Sequence, residues 1–351
     1  MKLLLRLLKP AIILGLAACA TTLHIASCGK DDVKKNEFAF KVPKDWPAPV
    51  YAFEGNEVSE AKFNLGKELF YDVQLSLTNT VSCGSCHQPF AAFAHLDHDV
   101  SHGVYDRLGK RNSPPLFNLN WHSSFFWDGR SNHLEVQPLS PITDSTEMAE
   151  TLPNVLAKLQ SDQRYPPLFT AAFGDALIDS QRMLKALAVF MGMMVSDNAK
   201  YDKYMRGEEQ LTEQGSRGMA VYTQHCSGCH KEPLFSDFSF RSNGLAPRLT
   251  TAGTEDSGRA TVAPFQAENM YKFKVPSLRN LRFTRPYMHD GRFQTLEQVL
   301  DHYSQIDANA VNLDPQLVNG IQLSQQERSD LLAFLNTLND EEFVRDRRFV
   351  K

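Results

Sequence analysis

Residues 83–87 read Cys-Gly-Ser-Cys-His, and residues 226–230 read Cys-Ser-Gly-Cys-His. This motif is typical of c-type haem attachment, because its two thiols can add to the two vinyl groups of one porphyrin while the next imidazole faces the iron. The alternatives are a zinc site of four thiolates or a thioredoxin-like thiol pair. Zinc ribbons need no histidine after both pairs, and no βαβ pattern accompanies the thiols. The sequence therefore predicts two haem c groups, attached through Cys83, Cys86, His87, Cys226, Cys229 and His230.

The two motifs belong to a chain that repeats itself. A shift of 162 positions aligns residues 114–137 with residues 276–299 without a gap, and nine of the 24 aligned positions are identical. Chance would produce only about one or two identities over such a stretch. Because each half also has its own Cys-x-x-Cys-His, we interpret the chain as a duplicated haem domain.

Composition and patterning indicate a soluble helical protein. The chain has 351 residues, 42% hydrophobic and 22% charged, and its net charge of −4 argues against a nucleic-acid partner. Apolar residues recur at helical spacing and predict one long, mostly buried helix from Ser180 to Met205. Capping-box patterns predict two further helices, one that follows Ser324 and one that begins near Leu296. Polar residues 206–215 are a plausible join between the halves.

The first residues are a leader rather than part of the fold. A basic start precedes an apolar stretch over residues 11–27, as in an export signal. Two tetrapeptides resemble a bacterial lipobox, and they end at Cys19 and Cys28. We favour Cys28, since a polar run follows it directly. We predict a signal peptide (residues 1–27), a tether (residues 28–50) and a periplasmic protein held at the membrane by a lipid anchor only; an uncleaved anchor or an ordinary secretory signal is the alternative.

Beyond these features, the chain resembles the bacterial dihaem cytochrome c peroxidases and their relative MauG, a tryptophan-modifying enzyme, from about Phe53 to Leu338. The resemblance rests on both haem motifs and on further stretches in the same order: Arg111-Asn112, Phe126-Trp127-Asp128-Gly129-Arg130, Gln137, Pro141, Glu147-Met148, residues 273–280 and His289-Asp290-Gly291. It implies an all-α fold of two cytochrome c-like domains, residues 51–205 and 206–351, each with one haem near the domain interface. We expect that fold.

The resemblance also implies roles for individual residues. His87 would be the proximal ligand of a peroxidatic haem, and His230 that of an electron-receiving haem. His102 matches the histidine that occupies the sixth position in resting peroxidases and leaves on reductive activation. The remaining matches are Gln137 and Glu147 over the open iron face, Trp127 between the haems, and Asn112, Thr284 and Pro286 at an interdomain calcium ion.

One position departs from the peroxidases. In them a methionine ligates the electron-receiving haem fourteen residues after the histidine of His-Asp-Gly, whereas here that count from His289 reaches Tyr303, and MauG has tyrosine there. Methionine raises a haem's potential, whereas a phenolate favours ferric iron. The chain thus combines a peroxidase-like His102 with a MauG-like Tyr303.

Helical spacing independently favours Tyr303. It falls on one apolar face with Leu296, Val299 and Leu300, whereas the neighbouring residue, His302, lies ~100° away around the helix. We therefore predict that Tyr303 is the sixth ligand of the His230 haem. The alternative is a core tyrosine bonded to a propionate, with the iron taking Met270, Met288, His302 or water.

These features predict an enzyme, a cytochrome c peroxidase that reduces hydrogen peroxide to water with electrons from a small cytochrome c or a copper protein. Glu147 would move a proton between the peroxide oxygens, Gln137 would orient peroxide or water, and Trp127 would relay electrons. The alternatives are a MauG-like enzyme that oxidises a partner protein and a plain dihaem electron carrier; the Gln137 and Glu147 pair argues against the carrier. A homodimer is compatible with the sequence.

Each of these residues also has a simpler interpretation. Glu147 could be a solvated loop carboxylate, and Trp127 could pack in a core. Asp290 and Arg292 form a structural pair in this interpretation. The histidines outside the motifs would be surface or loop residues: His95, His98, His122 and His133.

Overall fold

The computed structural model describes residues 38–351; the predicted signal peptide, Cys19, Cys28 and the first part of the tether lie outside the described residues. The described part is mostly helical, as predicted. Its α-helices are α1 Glu60–Phe70, α2 Cys83–Cys86, α3 Leu139–Thr143, α4 Leu152–Ser161, α5 Tyr165–Phe173, α6 Ser180–Gly192, α7 Lys200–Met205, α8 Glu213–His225, α9 Leu296–Ser304 and α10 Gln325–Asn336. Two short strands, β1 Phe240–Arg241 and β2 Phe273–Lys274, pair antiparallel. Over residues 38–351 no helix has the length and apolar character needed to cross a membrane.

Two crossed helix pairs form the centres of the two halves. Helix α1 packs against α6, and α8 packs against α10. Glycine permits both crossings, because a Cβ at Gly66 would overlap the backbone of Ala186 and a Cβ at Gly218 would overlap the backbone of Asp330. In each half, the helix that carries this glycine precedes the haem motif.

Each helix pair has its own hydrophobic core. The first core is rich in phenylalanine, with Phe63, Phe70 and Phe190 among its buried rings. The second is smaller and surrounds Tyr222 and Phe334. The chain's last residues return to the first core, which contains Phe343, Val344 and Phe349. The domain bounds given above therefore stay a prediction, and the C-terminal residues pack with the first half.

The 162-residue repeat is visible in the backbone. Asn118 and its counterpart Asn280 are both left-handed, with φ angles of 57° and 61°, and each precedes a single 3₁₀ turn. A bridge between extended residues follows at matching positions in both halves: Phe125 with Ser131, and Tyr287 with Phe293. The identities between the halves thus correspond to a shared backbone path.

The helices predicted from capping boxes are present, whereas the long helix predicted from apolar spacing is divided in two. Helices α9 and α10 begin directly after the predicted caps Thr295 and Ser324, so both are confirmed. The single helix from Ser180 to Met205 is wrong, because α6 ends at Gly192 and α7 starts at Lys200. Between the two helices the backbone forms hydrogen bonds outside a helix: the Ser196 N–H donates to Asn118 Oδ1 at 2.8 Å.

Candidate active site

The first Cys-x-x-Cys-His motif forms one helical turn. Helix α2 contains both thiols and is capped by Ser82, whose N–H donates to Ser85 Oγ at 3.0 Å. The imidazole of His87 follows, and its Nδ1 donates to the Phe93 carbonyl at 2.8 Å. This bond determines the tautomer and leaves Nε2 for a metal. Burial lowers the pKa of His87 to about 4, so the imidazole is neutral, as ligation requires.

The second motif has the same design. His230 follows the end of α8, and its Nδ1 lies 3.2 Å from the Phe235 carbonyl and 3.0 Å from the Pro276 carbonyl. Nε2 is again left for a metal, and burial lowers the pKa of this imidazole as well. None of the cysteines of the two motifs forms a disulfide.

A cavity of about 480 Å³ opens beside the first motif. Its wall combines apolar side chains such as Phe70 and Leu116 with many polar and charged ones, among them Arg111, Asp128 and Lys274. The structure brings together here nearly every residue predicted for the first half: Cys83, Cys86, His87, His102, Asn112, Trp127, Gln137 and Glu147.

Glu147 is one of five carboxylates that line this cavity, together with Asp128, Asp144, Glu255 and Asp256. Burial, followed by the charge of Asp144, raises its pKa to about 7, against the opposing charges of Arg130 and Lys110. A solvated loop carboxylate would not experience such burial. The Glu147 backbone carbonyl accepts the Val104 N–H at 2.8 Å, so the loop that carries His102 is bonded directly to the acid.

His102 lies at the mouth of the cavity, with 41% of its side chain exposed. Its Nδ1 lies 2.6 Å from Asp106 Oδ1. This contact leaves Nε2 for the iron, the arrangement by which carboxylates orient histidine ligands. Ligation of the iron by His102 stays a prediction.

Trp127 connects the cavity to the second half. Its Nε1 donates to the Asn112 carbonyl at 2.9 Å, and its own carbonyl accepts the Lys274 N–H at 2.8 Å. Two residues after Lys274, the carbonyl of Pro276 accepts from His230. A single hydrogen-bonded stretch of backbone therefore runs from the tryptophan to the second motif.

Tyr303 lies beside the thiols of the second motif. Burial raises its pKa to about 12, the side-chain amide of Asn243 acts in the opposite direction as a hydrogen-bond donor, and the nearby Cys226 and Cys229 raise it further. The neighbouring His302 is engaged elsewhere, since its Nε2 donates to the Asn243 carbonyl at 3.0 Å. This geometry accords with Tyr303 as the ligand, which stays a prediction.

The chain is similar in sequence to proteins of one known family. The family described as "Di-haem cytochrome c peroxidase" matches residues 60–210. The methylamine utilization protein MauG of Methylorubrum extorquens is 36% identical over 94% of this chain and 93% of its own. The cytochrome c551 peroxidase of Pseudomonas aeruginosa is 31% identical over 84% of each chain. The chain belongs to the di-haem cytochrome c peroxidase and MauG family.

Solved structures agree with this assignment. A MauG-like protein associated with microbial copper homeostasis superimposes with a TM-score of 0.80 at 32% identity, over 88% of this chain and 98% of that one. The diheme peroxidase BthA of Burkholderia thailandensis shares the fold, with a TM-score of 0.70 at 22% identity over 82% of this chain and 87% of that one.

Family membership implies two c-type haems, and the residues present fit them. Both motifs combine unpaired thiols with a neutral imidazole that has a vacant Nε2. The first cavity also contains a buried cation, Lys274, whose Nζ contacts the Ser124 carbonyl at 2.6 Å and His122 Nδ1 at 3.3 Å rather than a carboxylate. Burial lowers its pKa to about 7. A haem propionate would supply the missing anion.

The residues predicted to bind calcium lie close to residues 97–99, either by direct contact or through the neighbouring Arg285. The Asn112 Nδ2 donates to the carbonyls of His98 and Asp99 at 3.1 and 3.3 Å, which leaves Oδ1 as the atom that a cation would take. Thr284 and Pro286 flank Arg285, whose carbonyl accepts the Asp97 N–H at 3.3 Å. Calcium binding stays a prediction.

Sequence reasoning missed several residues of the di-haem site. His95 and His122 lie in loops, as predicted, but His122 lines the first cavity and His95 is buried, so neither is a surface histidine. Asp106 and Asn243 carry no signal in the sequence, because only the fold brings them to their partners. Lys274 had one local signal, a lysine within the otherwise apolar stretch Phe-Lys-Val-Pro. The structural pair of Asp290 and Arg292 is present at 2.5 Å.

Proposed function

We propose that this protein is a dihaem cytochrome c peroxidase that reduces hydrogen peroxide to water at the first haem motif and receives electrons through the second. One observation carries the proposal: Glu147, with its pKa near 7, lines the same cavity as Cys83, Cys86 and His87. An electron carrier needs no acid-base group beside its haem, whereas peroxide cleavage does.

The haem iron would supply peroxide binding and electron transfer, and the chain supplies the proton chemistry. Cleavage to water requires a proton to move from one peroxide oxygen to the other. Glu147 can take that proton and return it, because its pKa lies close to the working pH. Gln137, which is buried on the same wall, presents an amide that can orient peroxide or water.

Electrons would arrive from the second half. Peroxide reduction needs two electrons, and two haems can store both between encounters with a donor. The path runs from the Trp127 carbonyl by one hydrogen bond to Lys274, along the backbone to Pro276, and by a second hydrogen bond to His230. We propose a small cytochrome c or a copper protein as the donor, and a periplasmic, lipid-anchored location for the enzyme.

The test uses the holoprotein with both haems attached. Peroxide-dependent oxidation of a reduced small cytochrome or cupredoxin is measured for the wild type and for Glu147→Gln, and we expect the variant to lose ~10²–10⁴-fold in rate. Glu150→Gln is the matched control, since Glu150 is a buried carboxylate nearby that pairs with Lys158 at 2.6 Å. Wild-type turnover in Glu147→Gln would refute the assignment.

A second function is favoured by Tyr303, which stands beside the second motif where the peroxidases have methionine. In that case the enzyme would use peroxide to oxidise a partner protein, as we infer from the likeness to MauG. Little turnover with small donors, together with peroxide-dependent modification of a co-purified protein, would support this function. Tyr303→Phe should then abolish the modification and remove the phenolate charge-transfer band from the oxidised protein.

A further inference from the structure

Asn243 contacts three side chains of kinds that can bind haem iron: Met288, His302 and Tyr303. It follows β1, and its Oδ1 accepts the Leu245 N–H at 3.3 Å, which fixes the orientation of the amide. The Nδ2 atom then lies 3.5 Å from Met288 Sδ. The same amide acts on the Tyr303 phenol, and the Asn243 carbonyl accepts from His302.

Met288 and His302 are the alternatives to Tyr303 as ligands of the second haem. Thioether sulfur and imidazole nitrogen both bind haem iron readily, and each would give the haem a different potential from a phenolate. The His302 ring lies 5.2 Å from the Tyr303 ring, and Met288 shares its contact with Asn243. Without that residue, the sulfur of Met288 would have no amide to hold it, because the Nδ2 contact is the polar bond that the structure gives it.

We propose that Asn243 is a positioning residue that selects Tyr303 as the ligand of the second haem: it holds Met288 and His302 away from the iron and donates a hydrogen bond to the phenolate oxygen. The inference rests on the proposed ligation by Tyr303. Asn243 would then explain why Tyr303, rather than Met288 or His302, binds the iron. Outer residues that hydrogen bond to metal ligands orient them in this way in many metal sites.

The side chain can be removed while the backbone contact to His302 stays. In Asn243→Ala the carbonyl still accepts from His302, so only Met288 and Tyr303 are released. We expect the oxidised holoprotein to lose most of its phenolate charge-transfer band, to gain the near-infrared and EPR signature of a methionine-ligated haem, and to have a higher potential at that haem. The double variant Asn243→Ala/Met288→Leu should recover the band, because the competing sulfur is gone.

Asn312→Ala is the matched control. Asn312 also donates its Nδ2 beside a methionine, to the carbonyls of Ala267 and Met270 at 2.9 and 3.2 Å, but the structure gives it no contact with Tyr303. Its spectrum should equal that of the wild type. Asn243→Asp provides a second test that preserves shape, since it replaces the donor by an acceptor and should also weaken the band. Haem content per chain verifies that each variant is fully loaded, and cooperative unfolding in denaturant verifies that it is folded.

The outcomes separate the two proposals. If Asn243→Ala and Asn243→Asp retain the wild-type spectrum while Tyr303→Phe loses the band, the selecting role of Asn243 is wrong and the ligation stands. If Tyr303→Phe leaves the spectrum unchanged, the ligation itself is wrong and the selecting role falls with it. Failure of Met288→Leu to restore the band in the double variant would show that the sulfur is not the competitor.

Discussion

The two halves share a backbone path and then diverge at one aligned segment. Residues 133–138 and 295–300 correspond in the repeat. In the second half Thr295 caps this segment and it becomes α9, which carries Tyr303 toward the second motif. In the first half His133 stands in place of the cap and Pro138 in place of Leu300, so a turn precedes the short helix α3.

We expect this difference to decide what each haem faces. Proline removes a backbone donor and interrupts a helix, so the first half forms no counterpart of α9 at residues 133–138. It instead places Gln137 in an open cavity that also contains Glu147. The residues that break the repeat are therefore the ones that we propose assign peroxide chemistry to the first site and electron transfer to the second.

The pH dependence should distinguish the halves most clearly. Below pH 7 Glu147 is increasingly protonated and cannot accept the peroxide proton. The rate of reaction with peroxide should therefore rise about tenfold per pH unit well below the pKa, or ~50-fold between pH 5 and 7, and level off above about pH 8. Stopped-flow measurement on the holoprotein checks this. Reduction of the second haem should be nearly flat over the same range, since Asn243 and Met288 beside Tyr303 do not titrate.

The control for this profile is Glu147→Gln, whose residual peroxide rate should not vary with pH. A profile that persists in that variant would assign the ionisation to another group, and the contrast between the halves would then no longer depend on Glu147.

A second prediction concerns how the first half holds its acid. A Cβ at Gly103 would overlap the backbone of Thr146 and Glu147, so Gly103→Ala must displace the bond between Val104 and the Glu147 carbonyl. Displacements of about 1 Å can cost ~10²-fold in rate, and we expect a loss of ~10–100-fold in the peroxide reaction. The spectrum of the second haem should not change.

Gly109→Ala is the control within the same loop, because its Cβ would meet Ser101 O only at 3.3 Å. If both variants lose rate equally, general loosening of the loop is responsible rather than the contact with Glu147.

Structural features that depend on neighbouring residues could be predicted from the sequence, whereas features that depend on residues distant in sequence could not. The caps at Thr295 and Ser324 are local patterns, and each correctly predicted where its helix begins. The identities of the repeat likewise correspond to a shared backbone path. The haem motifs are local as well, and haem attachment through them stays a prediction. The break after Gly192 depends on Asn118, which is distant in sequence. Asn243 escaped notice for the same reason, since Met288 and Tyr303 become its neighbours only in the folded chain. Family resemblance supplied roles for residues such as Glu147 that spacing alone could not assign.

A third prediction uses the paired glycines of the helix crossings. Alanine normally stabilises a helix relative to glycine, by ~0.5–1 kcal/mol. Here Gly66→Ala and Gly218→Ala should destabilise by ~1–3 kcal/mol, because the added methyl overlaps the facing backbone. Denaturant unfolding followed at each haem measures the effect in its own half. Gly215→Ala, also on α8, should be neutral or stabilising, because its Cβ would come no closer than 3.3 Å to Thr212 Oγ1. A loss of stability there equal to that in Gly218→Ala would contradict the argument from the helix crossing.

The smallest effect tests the segment at which the halves diverge. Thr295 and Ser324 both cap helices through a capping box, and replacement of either by alanine should cost ~1 kcal/mol in the free energy of unfolding. Their consequences should nevertheless differ. Helix α10 belongs to the second core through Leu331 and Phe334, so Ser324→Ala should leave the haem spectra unchanged. Helix α9 has no fully buried residue and depends more on its cap, so Thr295→Ala should let Tyr303 move and weaken the phenolate band. Equal spectra in the two variants would mean that packing holds the tyrosine in place. The cap at Thr295, which His133 replaces in the first half, would then not be responsible.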